Sequence, residues 1–261
     1  MSDKSIYIFD SGVGGITLLH LALQKLPNEH FIYYADVLNA PYGIKSSGEV
    51  LDMVTGCIDS IDHTTVKALV LACNTATSIA VTALRQKYDF PIIGMEPAIK
   101  LASHIDTDKK IVLWATELTL KEQKLKSLSQ QLNLSERLVI VPASPLVTAA
   151  EKFEFITPNI QRTINSIIAS VNINEVAAIV LGCTHFLYFK PMLKKILPKA
   201  VRIIDGHHGT VNHLKTQINP TTSTSKQEIA CILSGMDVDS EFLLPYLDYC
   251  DQYQINKYEA T

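Results

Sequence analysis

The chain has 261 residues, 47% of them hydrophobic and 19% charged, with a net charge of −3. This is a globular rather than a disordered composition, long enough for one large or two modest domains with a sizeable core. Lys and Arg are scattered, so the basic face that a nucleic-acid partner needs is missing. The longest apolar runs, Ile16 to Leu23 (interrupted by Thr17 and His20) and Ala177 to Leu181, fall short of the roughly 20 residues of a membrane span. The start, Met1-Ser-Asp-Lys-Ser, enters a strand at once and lacks the basic and apolar regions of a secretory signal, which predicts a cytoplasmic protein. In that reducing compartment five cysteines without CxxC pairing are expected as free thiols.

Ile6-Tyr-Ile-Phe9 reads as a strand, Asp10-Ser11-Gly12-Val13-Gly14-Gly15 as a glycine loop, and Ile16 to Leu26 as a helix with apolar residues at helical intervals. Such a loop at a helix N-terminus suits a carboxylate or phosphate, yet it is neither GxGxxG nor a P-loop, and a structural turn is an equal reading. Phe31 to Ala35 is the second strand, leading to Asp36 and then Pro41-Tyr42-Gly43 at the strand end where open α/β sheets bind ligands. A helix over 48–61 places Cys57 on its core face. Ala68 to Ala72 is the third strand and ends in Cys73-Asn74-Thr75-Ala76-Thr77. Asn74 or Thr75 is expected to cap the helix that runs to about Tyr88. Pro91 to Gly94 is a fourth short strand.

The second half repeats the plan. Ile111 to Ala115 is followed by Thr116-Glu-Leu-Thr119 and a Lys-rich helix to about Leu132. Leu138 to Val141 leads to a short helical stretch containing Glu151, and Thr157-Pro158 opens another helix with Pro at its start. Ile179 to Leu181 ends at Gly182-Cys183-Thr184-His185, and Val201 to Ile204 reaches Asp205-Gly206. Matching Ile6 with Ile111, Cys73 with Cys183 and Ile93 with Ile204 gives offsets of 105, 110 and 111. A near-constant offset predicts two similar, duplicated α/β halves. The remaining chain, with a polar loop over 219–225, Ile229 to Leu233 and an aromatic tail, is expected to pack back onto the first half. His207-His208 reads as a solvated turn, and Cys231 and Cys250 as structural.

Two strands that end on cysteine followed by polar residues suit chemistry better than packing. If the halves face each other, Cys73 and Cys183 lie on opposite walls of one cleft, where one group removes a proton from a carbon and the other returns one to its opposite face. A thiol near pKa 8.5 that neighbours can tune is apt for both roles. Three other readings compete. A metal site of Cys73, Cys183 and His185 has poor zinc spacing and no evident fourth ligand. A cysteine-histidine hydrolase has no assured nucleophile-base geometry. A two-lobed binding protein for an acidic amino acid is normally exported and needs no cleft thiols.

At these residues the sequence resembles the glutamate racemases of the aspartate/glutamate racemase superfamily. Phe9 to Gly15, Pro41-Tyr42-Gly43, Ala72 to Thr77 and Leu181 to His185 match the family's motifs in order, over roughly residues 6 to 206. The resemblance implies cofactor-independent interconversion of L- and D-glutamate, without pyridoxal phosphate or metal, supplying D-glutamate for peptidoglycan. Its fold class is α/β, with two pseudo-symmetric domains, each around a mostly parallel four-strand sheet, the active site between them, and usually a homodimer. The implied partition is 1–97 plus 207–261 and 98–206. Carried over, Cys73 and Cys183 resemble the two bases, with Asp10 tuning Cys73 and meeting the substrate ammonium and His185 assisting Cys183. Ser11, Tyr42, Gly43, Asn74, Thr75 and Thr184 resemble the substrate contacts. Glu151 fits the glutamate that assists the second side, although Thr148-Ala-Ala150 and Lys152 depart from its usual context. Departures at 116–119 and 94–97 flank the cleft and leave aspartate or a broader set of amino acids as alternatives.

Overall fold

The structure is a computed structural model that describes residues 4–95, 98–105, 107–118, 123–219, 221 and 227–257. Its first half alternates strands and helices: β1 (Ser5–Asp10), α1 (Ile16–Lys25), β2 (Phe31–Ala35), α2 (Ser47–Asp59), β3 (Val66–Leu71), α3 (Asn74–Lys87) and β4 (Ile92–Gly94). The second half runs α4 (Ile99–Ser103), β5 (Lys110–Ala115), α5 (Gln123–Gln131), β6 (Leu138–Pro142), α6 (Ser144–Glu151), α7 (Pro158–Ile168), β7 (Val176–Leu181), α8 (Lys190–Ile196) and β8 (Arg202–Ile204). The chain then returns through α9 (His207–Gln217), β9 (Ile229–Leu233), β10 (Met236–Val238) and α10 (Leu244–Gln252). Strands such as Val66–Leu71 and Val176–Leu181 are near-continuous aliphatic runs, the pattern of parallel strands covered on both faces.

The two halves share one topology. The second sheet has the order β6-β5-β7-β8, and the core of the first has β2-β1-β3-β4, with every pairing in both parallel. Even the irregularities correspond, since register slips between Ser5 and Ile6 where β1 meets β3 and between Lys110 and Ile111 where β5 meets β7. The corresponding strands β3 and β7 are each preceded by a short 3₁₀ turn capped by an Asx side chain, Asp62 before β3 and Asn172 before β7. The expected four-strand unit is thus present twice.

The first sheet is larger than the duplication predicts, having six strands. Chain from the C-terminal return adds β9 parallel to the edge strand β2 and β10 antiparallel to β9. That covers an edge which would otherwise offer unpaired backbone groups. Glu29, nearly fully buried, and its partner Lys67 (Nζ at 2.6 Å) tie the return down, Glu29 accepting from the Thr221 amide at 2.7 Å and Lys67 Nζ donating to Thr221 Oγ1 at 2.8 Å. The rest of the expected polar loop, apart from Asn219 and Thr221, lies outside the described residues, as do Glu96, Pro97 and Thr119. The aromatic tail packs where expected and also reaches the second half: Tyr246 and Tyr249 on α10 meet Phe153, Phe155 and Tyr188 at centroid distances of 4.5–6.3 Å. One apolar cluster consequently runs from Ile8 and Leu19 through Trp114 and Leu181 to Cys250.

Three local expectations change. Helix α2 starts at Ser47 because Ser46 and Glu49 form a reciprocal capping box. The cap of α3 is Cys73 itself, whose sulfur accepts the Ala76 N–H at 3.5 Å, rather than Asn74 or Thr75. His207 is not in a solvated turn: it is fully buried in the first turn of α9. Cys57 is half-buried against the first-half core, while Cys231 and Cys250 are buried.

Candidate active site

Parallel strands with the same topology present the ends of β1, β3, β5 and β7 together, and the expected residues sit there. Asp10 ends β1, Cys73 follows β3, and Cys183 follows β7. Both thiols are nearly enclosed, 6% and 7% exposed.

The glycine loop joins the two walls. Val13 N–H donates to Glu151 Oε1 at 3.0 Å, and Gly12 N–H donates to Asp10 Oδ1 at 3.0 Å. The loop therefore does receive carboxylates, but they are the protein's own. Its carbonyls are held as well: Tyr33 hydroxyl donates to Gly12 O at 2.6 Å and Tyr188 hydroxyl to Val13 O at 2.8 Å. None of these loop glycines adopts the left-handed backbone. What they provide is closeness, since a Cβ on Gly12 would lie 1.8 Å from Glu151 Oε1 and one on Gly14 would lie 2.3 Å from Thr184 Oγ1 and 2.5 Å from His185 Nδ1.

On the second wall a chain of polar contacts runs away from the thiol. Cys183 Sγ lies 3.5 Å from His185 Nδ1, and His185 Nε2 lies 2.6 Å from Glu151 Oε1. Burial favours the neutral imidazole, but the Cys183 sulfur and the Glu151 carboxylate outweigh it and hold His185 well above its ordinary value. An imidazolium there has one N–H for each neighbour. Glu151 is half-buried, which works against its charge, yet the hydrogen bond and charge of His185 hold it below the usual carboxylate range.

On the first wall Cys73 Sγ lies 3.6 Å from Ser11 Oγ and accepts the Ala76 amide at the N-terminus of α3. Burial, then the Asp10 charge, push this thiol up to about 12, against the smaller opposing pull of the Ala76 amide. The surroundings of the two thiols are thus unequal, with Cys73 held protonated and Cys183 having a cation beside it. Asp10 is fully buried and also spans the walls, accepting the Thr184 hydroxyl on Oδ2 at 3.1 Å. Burial pushes its carboxyl up to about 6 despite the opposing charge of His185.

The remaining predicted residues divide. Thr75 Oγ1 lies 3.1 Å from Thr116 Oγ1, and a Cβ on Gly43 would lie 2.7 Å from Thr116 Cβ, so Thr75, Gly43 and Thr116 converge. Thr116 was not among the predicted contacts. It follows β5 as Ser11 follows β1, and the offset of 105 between those strands would have found it. Asn74 is buried, and its Oδ1 has no hydrogen-bond partner among the described residues. Tyr42 is buried with its hydroxyl donating to Asp36 Oδ2 at 2.7 Å, so that hydroxyl is already engaged. Asp36 also accepts from Asn39 and from Ser234. Among the described residues no group of three or more His, Cys, Asp and Glu side chains is arranged to hold a metal ion. No helix there is long and apolar enough to cross a membrane.

The sequence and fold were compared with those of known proteins. Residues 17–214 match the family model for Asp/Glu/hydantoin racemases. The glutamate racemase of Halothermothrix orenii is 43% identical over 247 residues, covering 93% of this chain and 97% of that protein. Among solved structures, the glutamate racemase of Campylobacter jejuni superposes with a TM-score of 0.78 at 26% identity, covering 98% of this chain and 100% of that one. The Escherichia coli enzyme, solved with L-glutamate and the activator UDP-MurNAc-ala, superposes with a TM-score of 0.77 at 27% identity, covering 96% and 95%. The chain belongs to the Asp/Glu/hydantoin racemase family and is an isomerase of that family.

Proposed function

We propose that this enzyme interconverts L- and D-glutamate through Cys73 and Cys183, acting on opposite faces of the α carbon. The observation that carries this is the pair of nearly enclosed strand-end thiols in duplicated positions, each with its own polar support. In each turnover one thiolate takes the α proton while the opposite thiol delivers its own, so the sulfurs exchange roles and the substrate leaves inverted. Two bases on fixed walls achieve this without turning the substrate over.

Asp10 and Asn74 Oδ1, which has no hydrogen-bond partner among the described residues, supply acceptors for the substrate ammonium. Ser11, Thr75 and Thr116 supply hydroxyls for the two carboxylates, and Thr184, its hydroxyl engaged by Asp10, contributes main chain. With its hydroxyl engaged by Asp36, Tyr42 contributes main chain together with Gly43. His185, held as a cation by Glu151, stands beside the Cys183 sulfur, and neither a metal nor pyridoxal phosphate takes part. Segments 1–97 plus 207–261 and 98–206 act as the two walls' domains, and two copies pair as a homodimer in the cytoplasm.

Relatives named as glutamate racemases support glutamate over aspartate as substrate, and the product serves peptidoglycan synthesis. Chiral chromatography after incubation with L-glutamate, with L-aspartate run alongside, should show the D-isomer of glutamate alone. D-aspartate as the faster product would overturn the choice of substrate, and tight glutamate binding without turnover would favour a binding protein.

A further inference from the structure

We propose that His207 is a positioning residue for the second wall: its Nε2–H holds the Thr17 hydroxyl on the Gly14 carbonyl and so fixes the glycine loop against His185. This deepens the two-thiol reading and rests on it.

The contacts form one line through the interior. His207 Nε2 lies 2.7 Å from Thr17 Oγ1, and Thr17 Oγ1 donates to Gly14 O at 2.7 Å. Thr17 and His207 are both fully buried. Gly14 is the residue whose absent Cβ leaves room for Thr184 Oγ1 and His185 Nδ1, so a shift of Gly14 is a shift of the surface His185 rests on.

Proton counting assigns the imidazole. A threonine hydroxyl has one hydrogen, and Thr17 spends it on Gly14. Its oxygen can then only accept from His207, which puts the ring proton on Nε2. Nδ1 is left bare, and it has no hydrogen-bond partner among the described residues, with the nearest carboxylate oxygen, Asp205 Oδ1, at 3.6 Å. Burial pushes His207 down to about 4, with Asp205 opposing and Lys190 and His208 reinforcing the shift, so the ring is neutral in the working range. A histidine with one orphaned nitrogen is a poor choice for stability alone, because an unsatisfied buried polar atom is costly. His207 also directly follows Asp205-Gly206, where the chain passes from β8 back to the first half. The crossing and the glycine loop are therefore linked through the His207 donor.

Two kinds of measurement test this in the whole enzyme. His207→Leu and Thr17→Val should each lower kcat by about 10- to 100-fold, the scale of a small misplacement of reacting groups, with KM moved less than about twofold because the carboxylate contacts are elsewhere. The double variant should be no slower than the worse single one. His207→Gln, which carries a donor at the Nε2 position, should restore most of kcat. Independently of turnover, ¹⁵N NMR of the wild-type enzyme should show His207 protonated at Nε2 and bare at Nδ1. Should His207→Leu fail to fold, the isosteric Thr17→Val carries the same kinetic test. Unchanged kcat in Thr17→Val, multiplying losses in the double variant, or an Nδ1-protonated ring would each overturn the proposal. A wild-type enzyme inactive on glutamate would overturn the substrate reading instead, while the NMR measurement would still decide the hydrogen bond.

Discussion

Replacing either Cys73 or Cys183 with Ala should abolish racemisation, lowering kcat by at least about 10³-fold, the upper range for loss of a general acid or base. In the proposed mechanism each turnover needs a base on one face and an acid on the other, so neither sulfur substitutes for its partner. The double variant should be no worse than either single one, as expected of groups that act as a unit. Steady-state rates with both enantiomers check this, with Cys231→Ala as the control: Cys231 is a buried thiol on β9 that pairs against Tyr33 in the sheet, outside the catalytic pair. Full activity in Cys73→Ala or Cys183→Ala would defeat the two-base assignment.

Asp10→Asn should stabilise the fold and disable the enzyme. Burial raises the carboxyl from 3.8 to about 6, so the folded state holds the proton more tightly than the unfolded chain does. The stability that this proton contributes is complete below about pH 3.8 and is lost as pH rises through about 6. Above that, the wild type keeps a charge in a fully buried place, at a cost on the order of 3 kcal/mol relative to the protonated form. Asparagine keeps the contacts, since Oδ1 can accept from Gly12 N–H and Nδ2 can donate to the Thr184 oxygen. Denaturant unfolding should show the variant more stable than the wild type at pH 8, with the difference disappearing near pH 4. Turnover should fall at every pH, because the carboxylate proposed to meet the substrate ammonium is gone. Equal stability across that range would show that the Asp10 charge is not costly. Stability of this kind is commonly given up at sites whose activity needs a poorly solvated charge.

Parts of this site were legible because they lie on a repeated plan. Apolar strands that end on Cys73 and Cys183, with matched offsets, lead directly to the shared topology of β2-β1-β3-β4 and β6-β5-β7-β8. The same plan, extended from Ser11 to Thr116, would have added a contact that motif reading passed over. The Ser46 and Glu49 capping box was equally readable from its spacing. Cys73 as a cap was not, since thiols are absent from the usual set of capping side chains. Least legible were the partners set by long-range packing. Tyr188 reaches Val13 across 175 residues and His207 reaches Thr17 across 190, and no local pattern marks either. The glycine loop illustrates the limit: its composition pointed to an anion, and the structure supplies Asp10 and Glu151 as the anions.

The most direct test of the two-wall account is the fate of hydrogen during early turnover of L-glutamate in D2O. With separate thiols for removal and return, D-glutamate should carry deuterium at the α carbon from its first appearance, while the remaining L-glutamate stays unlabelled. Unlabelled D-glutamate, or L-glutamate that exchanges as fast as product forms, would mean that a single base serves both faces and would contradict the account.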